Sequence, residues 1–316
     1  MKGKCRCTFI VPFKIGKENT SRFVFFQQAV ESILAQSDPD WSAVFIDDGS
    51  NNPMVDKYIS DVISQQKQQI LYHKNEKNVG AGMARNIGIG LAVRELHSDV
   101  IMYQDSDDLS HFRRVEVISK AFAEEDVDVI YSPFIPIDEE GNEIPQEDWP
   151  YNIQQIMNNN KNPAVGREVW KTIVSRDMYI NLTSATNLRS ELAKRIPFPD
   201  MRSSEDSYTW MLYSASGGIF GFKKEIPTKY RIPQKDKNKS LSTEFGKENF
   251  YSDFANAHIE AYRQCLKYAI ERKTITKEEI GVLTERVFRN LAEILRGDEM
   301  QELAEKIMAD MEKFEL

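Results

Sequence analysis

The residues best able to do chemistry here are acidic and close short apolar runs. Asp105, Asp107 and Asp108 follow directly on Val100 to Tyr103. Asp105 and Asp107 are two apart, so in an extended chain they share a face. Like charges that close repel unless a cation or a donor lies between them. A hard divalent ion that also holds phosphate oxygens would meet that need. A solvated acidic turn is the plain alternative. Asp47 and Asp48 close a second apolar run, Ala43 to Ile46. Gly80-Ala-Gly82-Met-Ala-Arg85 offers free N–H groups and a cation at a helix start, which suits an anion. It is not a dinucleotide fingerprint, because Arg85 occupies the third glycine position and Lys74 to Asn78 separates the glycines from the strand. Glu205 and Asp206 precede an aromatic run. They read as an acidic helix start, which the helix dipole favours.

These groups need a frame that holds them. The spacing predicts a strand at Thr8 to Pro12, stopped by Pro12, and a helix over Ser21 to Ala35 with Ser21 as cap. A strand at Ala43 to Ile46, a helix at Met54 to Ile63, a strand at Gln69 to Tyr72 and a helix at Gly80 to Leu96 follow. Val100 to Tyr103 is a strand, Val115 to Phe122 a helix and Val127 to Tyr131 a strand. Such alternation means a mostly parallel sheet flanked by helices. Open α/β sheets bind ligands at the carboxyl ends of their strands, which is where Asp48 and Asp107 fall.

The second half is less regular. Glu140-Gly141-Asn142 predicts a hairpin turn, and Tyr151 to Asn162 reads as a polar loop or surface insertion. Glu191 to Arg195 is a helical turn, Ser204 a cap for the aromatic helix, and Gly218 to Phe222 and Glu225 to Ile232 are strands. Lys235 to Lys239 reads as a solvated loop. Past Glu248 three apolar stripes recur at helical spacing, on Phe254 and Tyr262, on Leu283 to Leu295, and on Leu303 to Met311. A boundary is expected near Gly246, giving domains 1–246 and 247–316. The mixed charges opposite Leu283 to Leu295, and the acidic Glu302, Glu305, Asp310 and Glu312 beside the last stripe, favour packing on the protein's own domain first, a second copy next and a membrane surface last.

Composition sets further bounds. The 316 residues carry 41 basic and 49 acidic groups, a net charge of −8, without the basic surface of a nucleic-acid protein. No apolar segment is long enough to span a bilayer. Cys5, Cys7 and Cys265 have no metal spacing and suit a reducing cytoplasm. The sequence holds no Walker A motif and no Gly-x-Ser-x-Gly elbow.

In combination the motifs resemble the inverting glycosyltransferases of family 2, which have the GT-A fold. The family's first strand ends in Pro, here Pro12, and its first helix holds Ser-x-Leu-x-Gln, here Ser32 to Gln36. Its Asp-Asp-Gly-Ser is Asp47 to Ser50. Its Asn-x-Gly and Ala-Arg-Asn-x-Gly are Asn78 to Gly80 and Ala84 to Gly88. Its Asp-x-Asp-Asp is Asp105 to Asp108, and its later Glu-Asp is Glu205-Asp206 with Trp210 beyond. The resemblance covers about residues 5 to 232. It departs at Lys14, where the family has Asn, and it lacks the Gln-x-x-Arg-Trp of processive synthases.

The resemblance implies transfer of a single hexose or N-acetylhexosamine from a nucleoside-diphosphate sugar, UDP-linked by preference. The acceptor would be a glycan, lipid-linked or protein hydroxyl. It implies that Asp48 contacts the base, that Asp105 faces the ribose and that Asp107 holds Mg²⁺ or Mn²⁺. Pro12 borders the donor, with Phe13 beside it as a candidate. Arg85 either adds a cation near the phosphates or makes a salt bridge. Asp206 is the catalytic base, with Glu205 and Trp210 as further candidates. Arg231, Lys229, Lys235 and Lys237 are candidates to close over the diphosphate. The expected place is the cytoplasm, with peripheral binding at the inner membrane face as a variant and a homodimer through the C-terminal helices as another. The rival readings are a catalytically silent GT-A scaffold subunit and a sugar nucleotidyltransferase.

Overall fold

Strand β1, Cys7–Phe13, is buried along its whole length and lies inside the central sheet. The computed structural model describes residues 4–66, 68–175, 180–232, 234 and 246–315. Pro12 does not stop β1. Strand β4, Val100–Tyr103, pairs with β1 only as far as Ile10, whereas β2, Trp41–Asp47, follows it to Phe13. Pro12 therefore meets one neighbour only, and its missing N–H disturbs the ladder little. Helix α1, Thr20–Leu34, is capped by Asn19, whose side chain accepts the Arg22 N–H, and not by Ser21.

The other elements of the first unit are α2 (Pro53–Gln65), β3 (Gln69–Lys74), α3 (Ala81–Glu95), α4 (Arg114–Glu124), β5 (Val129–Tyr131) and β6 (Phe134–Ile137). The seven-stranded sheet runs β3-β2-β1-β4-β7-β5-β8, with β7 at Thr186–Arg189 and β8 at Phe220–Phe222. Every pair is parallel except those of β7, which lies antiparallel between β4 and β5. The chain leaves β1 toward β2 and β3, then returns to β4 on its other side. That reversal opens a crevice at the carboxyl edge. Helix α3 presses close to the sheet there: a Cβ on Gly88 would stand 2.7 Å from Ile10 Cγ2. β6 pairs in parallel with β9, Thr228–Arg231, and the tight turn expected at Gly141 is present, with φ 88°. Helix α7, Ser190–Arg195, packs on α3.

By contacts the chain forms two units. The first comprises Met1–Trp149, Asn181–Asp200 and Phe220–Gln234; the second comprises Pro150–Ile180, Met201–Ile219 and Lys235–Leu316. In the second unit Tyr151–Asn159 is helix α5, not a loop. Its sequence is Asn-rich, but Ile153 and Ile156 lie three apart and are both buried. Helix α6, Trp170–Ser175, and helix α8, Glu205–Ala215, complete the earlier part of this unit. Ser204 stands at the start of α8 in the left-handed region, φ 62°, and its side chain makes no cap.

The three stripes of the tail are helices α9 (Lys247–Glu271), α10 (Lys277–Gly297) and α11 (Gln301–Met311). Helix α9 packs on α8, α10 on α6, and α11 on α10. Phe254, Phe288, Leu291, Leu295 and Ile307 form their shared core. Among the described residues no helix is long and apolar enough to cross a membrane, and all three cysteines are free.

His258 on α9 is 2% exposed, and among the described residues neither ring nitrogen has a hydrogen-bond partner. Burial pushes its pKa down to about 4. The folded protein thus keeps His258 neutral where the unfolded chain, near its ordinary value, takes a proton. Stability is full above about pH 6.5 and is lost as pH falls toward 4. A His258→Phe protein should show a smaller fall in melting temperature between pH 6.5 and 4 than the unaltered protein. Parallel curves would show that another group governs the acid limb.

Candidate active site

Both Asp-Asp carboxylates of the β2 edge are engaged with their own loops. Asp47 is fully buried; its Oδ1 accepts the Ser50 N–H at 2.6 Å and its Oδ2 the Tyr72 hydroxyl at 3.0 Å. Asp48 is 4% exposed and accepts four hydrogen bonds. Oδ1 takes Asn75 Nδ2 at 2.9 Å and Val79 N at 2.8 Å; Oδ2 takes Asn78 Nδ2 at 2.7 Å and Gly80 N at 2.9 Å. A carboxylate has about four acceptor positions, so those of Asp48 are filled. Gly49 lets this loop close, since it sits at φ 82° and a Cβ there would lie 3.1 Å from Asn78 N.

The turn after β4 is held from within. Buried Gln104 donates through Nε2 to the Asp105 and Asp108 carbonyls at 3.2 and 2.9 Å. Gln104 Oε1 in turn accepts from Arg114 Nη1 at 3.2 Å. Arg114, at the first residue of α4 and 1% exposed, also donates to Asn187 Oδ1 and to the carbonyls of Tyr103 and Thr186. The Asp105 N–H donates to Ser184 Oγ at 2.9 Å. Neither Gln104 nor Arg114 was expected from the sequence. The available signals are a glutamine that ends an apolar run and an arginine at a helix start.

Arg85 is buried rather than on the surface. Its Nη2 donates to Asp105 Oδ1 at 2.8 Å and its guanidinium lies 5.2 Å from the Phe198 ring centroid. Asp105 is thereby oriented by a cation. Asp107, by contrast, is exposed. Crowding by the surrounding chain, then the like charge of Asp105, pushes its carboxyl up to about 6, while Arg22 and Arg231 pull it back. Water reaches Asp107, and the like charge of Asp105 opposes its ionisation. Asp108, 1% exposed, is also pushed well up, by burial first and then by the like charges of Asp107 and Asp105. Arg22, exposed in the first turn of α1, is a nearby cation that the sequence did not single out.

The remaining candidates divide clearly. Pro12 is buried in β1, and Phe13 is a core residue stacked on Phe26 at 4.2 Å. Arg231 is 3% exposed, with its donors directed at protein oxygens. Lys229 is half-buried on β9; Lys235 and Lys237 lie outside the described residues. Glu205, Asp206 and Trp210 belong to the second unit. Both carboxylates are half-buried in the first turn of α8, where Asp206 Oδ1 accepts the Ser207 N–H at 2.7 Å. Trp210 is 1% exposed and packs at 5.5 Å from Tyr213, as core.

Among the described residues no group of three or more acidic, His or Cys side chains forms a ready metal cage. The donor set still fits a hard divalent ion, which commonly takes one or two carboxylates and completes its shell with substrate phosphates and water. Asp107 is the exposed carboxylate able to serve, and Asp105 adds negative charge beside it.

A mostly parallel sheet, closed at its carboxyl edge by an acidic turn of this kind, defines the class of GT-A glycosyltransferases. The chain belongs to glycosyl transferase family 2, whose family model matches residues 21–182, about half of its length. It is 24% identical over 217 residues to an uncharacterized glycosyltransferase of Methanocaldococcus jannaschii, covering 67% of each chain. It spans 30% or less of three uncharacterized glycosyltransferases of Rickettsia species. In fold it is similar to S. aureus TarS in complex with UDP, with TM-score 0.58 and 14% identity over 97% of this chain and 88% of that one. It is also similar to the mannosyltransferase PcManGT of Pyrobaculum calidifontis in complex with GDP-Man and Mn²⁺. That match has TM-score 0.54 and 14% identity over 98% of this chain and 87% of the other.

Proposed function

We propose that this glycosyltransferase moves one sugar from a nucleoside-diphosphate donor, UDP-linked by preference, to an acceptor hydroxyl with inversion. The observation that carries the reading is Asp107, an exposed carboxylate at the end of β4 with like-charged Asp105 next to it. Solved structures of similar fold were obtained with UDP and with GDP-Man and Mn²⁺, which supports a donor of this chemistry. In this reading Asp107 holds Mn²⁺ or Mg²⁺ and Arg85 orients Asp105 beside it. The ion, when bound, stabilises charge on the departing diphosphate.

The step balances simply. A bond forms between the acceptor oxygen and the anomeric carbon as the bond to the diphosphate oxygen breaks. Asp206 takes the hydroxyl proton, and the electron pair leaves with the nucleoside diphosphate. One base and one displacement invert the anomeric carbon. The base-reading role expected of Asp48 is not part of this proposal, since its carboxylate already accepts four hydrogen bonds. The sugar fits a hexose or N-acetylhexosamine, and a cytoplasmic setting supplies such donors.

The test is calorimetric titration of UDP with and without Mn²⁺. The unaltered protein should bind UDP more tightly with the metal, and Asp107→Ala should lose that increment, because a site with few protein ligands cannot spare one. Its melting temperature should stay close to that of the unaltered protein, since Asp107 is exposed. Equal metal dependence in the two proteins would remove Asp107 from the metal.

A further inference from the structure

We infer that Arg231 is a positioning residue for the metal-binding turn: it fixes the main chain that carries Asp107 without itself contacting donor or metal. This rests on the metal reading given above. Arg231 ends β9, far along the chain from β4, yet two of its hydrogen bonds reach the turn. Its own main-chain N–H donates to Asp108 Oδ1 at 2.9 Å, and Nε donates to the Asp107 carbonyl at 2.8 Å. Nη1 donates to the carbonyls of Asp138 and Glu139 at 2.8 and 2.9 Å. Nη2 donates to Gln28 Oε1 on α1 at 2.8 Å, and the guanidinium stacks 4.4 Å from the Phe25 ring centroid.

The planar fork is thus pinned on three sides before it reaches Asp107. Helix α1 holds one edge, the turn after β6 holds another, and the Phe25 ring covers a face. With Gln104 holding the Asp105 and Asp108 carbonyls, three carbonyls of the four-residue turn are tied. A group so occupied is poorly placed to swing over a diphosphate. It is well placed to keep Asp107 at one position. Small divalent ions demand near-ideal octahedral geometry, so drift of a sole carboxylate weakens them. Partners that orient a ligand typically matter about 10–100-fold in metal affinity. Lysine at this position keeps the charge but is a point donor that cannot serve four acceptors in one plane.

The experiment reads Mn²⁺ directly, by the electron paramagnetic resonance signal of free Mn²⁺ in titrations at fixed UDP, alongside UDP affinity without metal. Arg231→Lys should weaken Mn²⁺ by about 10–100-fold while metal-free UDP affinity changes little. A merely structural role would lower both affinities together with the melting temperature, and that pattern overturns the inference. So does a folded Arg231→Lys with unaltered Mn²⁺ affinity. Should Arg231→Lys not fold, Gln28→Met decides, because half-buried Gln28 holds only Nη2. A smaller loss of Mn²⁺ affinity supports the inference; none overturns it. Asp107→Ala separates this from the underlying reading: if it binds Mn²⁺ as the unaltered protein does, the metal assignment falls, and this inference with it.

Discussion

Asp206→Asn should lower sugar transfer by roughly 10²-fold or more, the usual scale of general-base catalysis, and leave donor affinity almost unchanged. Asparagine keeps the shape and the acceptor oxygen but cannot take the hydroxyl proton. Oδ1 of Asp206 accepts the N–H of Ser207 at 2.7 Å, a contact an amide oxygen can also make, so α8 should remain intact. Steady-state transfer rates with saturating donor, set beside calorimetric donor affinities, are the measurement. Transfer that survives within a few-fold assigns the proton to another carboxylate, and Glu205, adjacent on the same helical turn, becomes the first to replace.

Asp48→Asn should produce the largest loss of stability, roughly 3 kcal/mol, since hydrogen bonds to a buried charge contribute about 1.5–3 kcal/mol each and do not add fully. The isosteric amide turns one acceptor oxygen into a donor. Whichever way it faces, it meets two N–H donors, either Asn75 and Val79 or Asn78 and Gly80. Asn78 is exposed and can turn to water, which limits the loss. Urea unfolding gives the value. An unchanged midpoint together with weakened UDP binding would instead return Asp48 to the role of reading the base.

Much of the frame is visible in the sequence because its physics is local. Apolar runs that end in carboxylates, separated by helical spacing, are enough to expect a parallel sheet with an acidic carboxyl edge. Strand β7 escaped this reading because Thr186-Asn-Leu-Arg189 is mostly polar. Its buried Asn187 is satisfied by partners far off in the chain, Arg114 Nε and the Ile130 carbonyl. Arg231 posed the same difficulty. An arginine near a supposed phosphate site suggests a clamp, and only the tertiary fold shows its donors already directed inward. The acidic turn was legible as a motif, whereas the Gln104 and Arg114 network that holds it was not, since its members gain partners only on folding.

The two units have a consequence for how this chain can be altered by recombination. Each is assembled from three separate lengths of sequence, taken alternately. Exchange of one contiguous stretch with a relative will therefore tend to break one unit or the other. The carboxyl-terminal helices are no detachable module in this sense: α9 packs on α8, the helix that carries Glu205 and Asp206. A chimera that inherits α8 from one parent and α9 from another must match across that packed face to keep Glu205 and Asp206 in place. Crossovers that keep α6, α8 and α9 to α11 together should give folded hybrids more often than crossovers at Gly246.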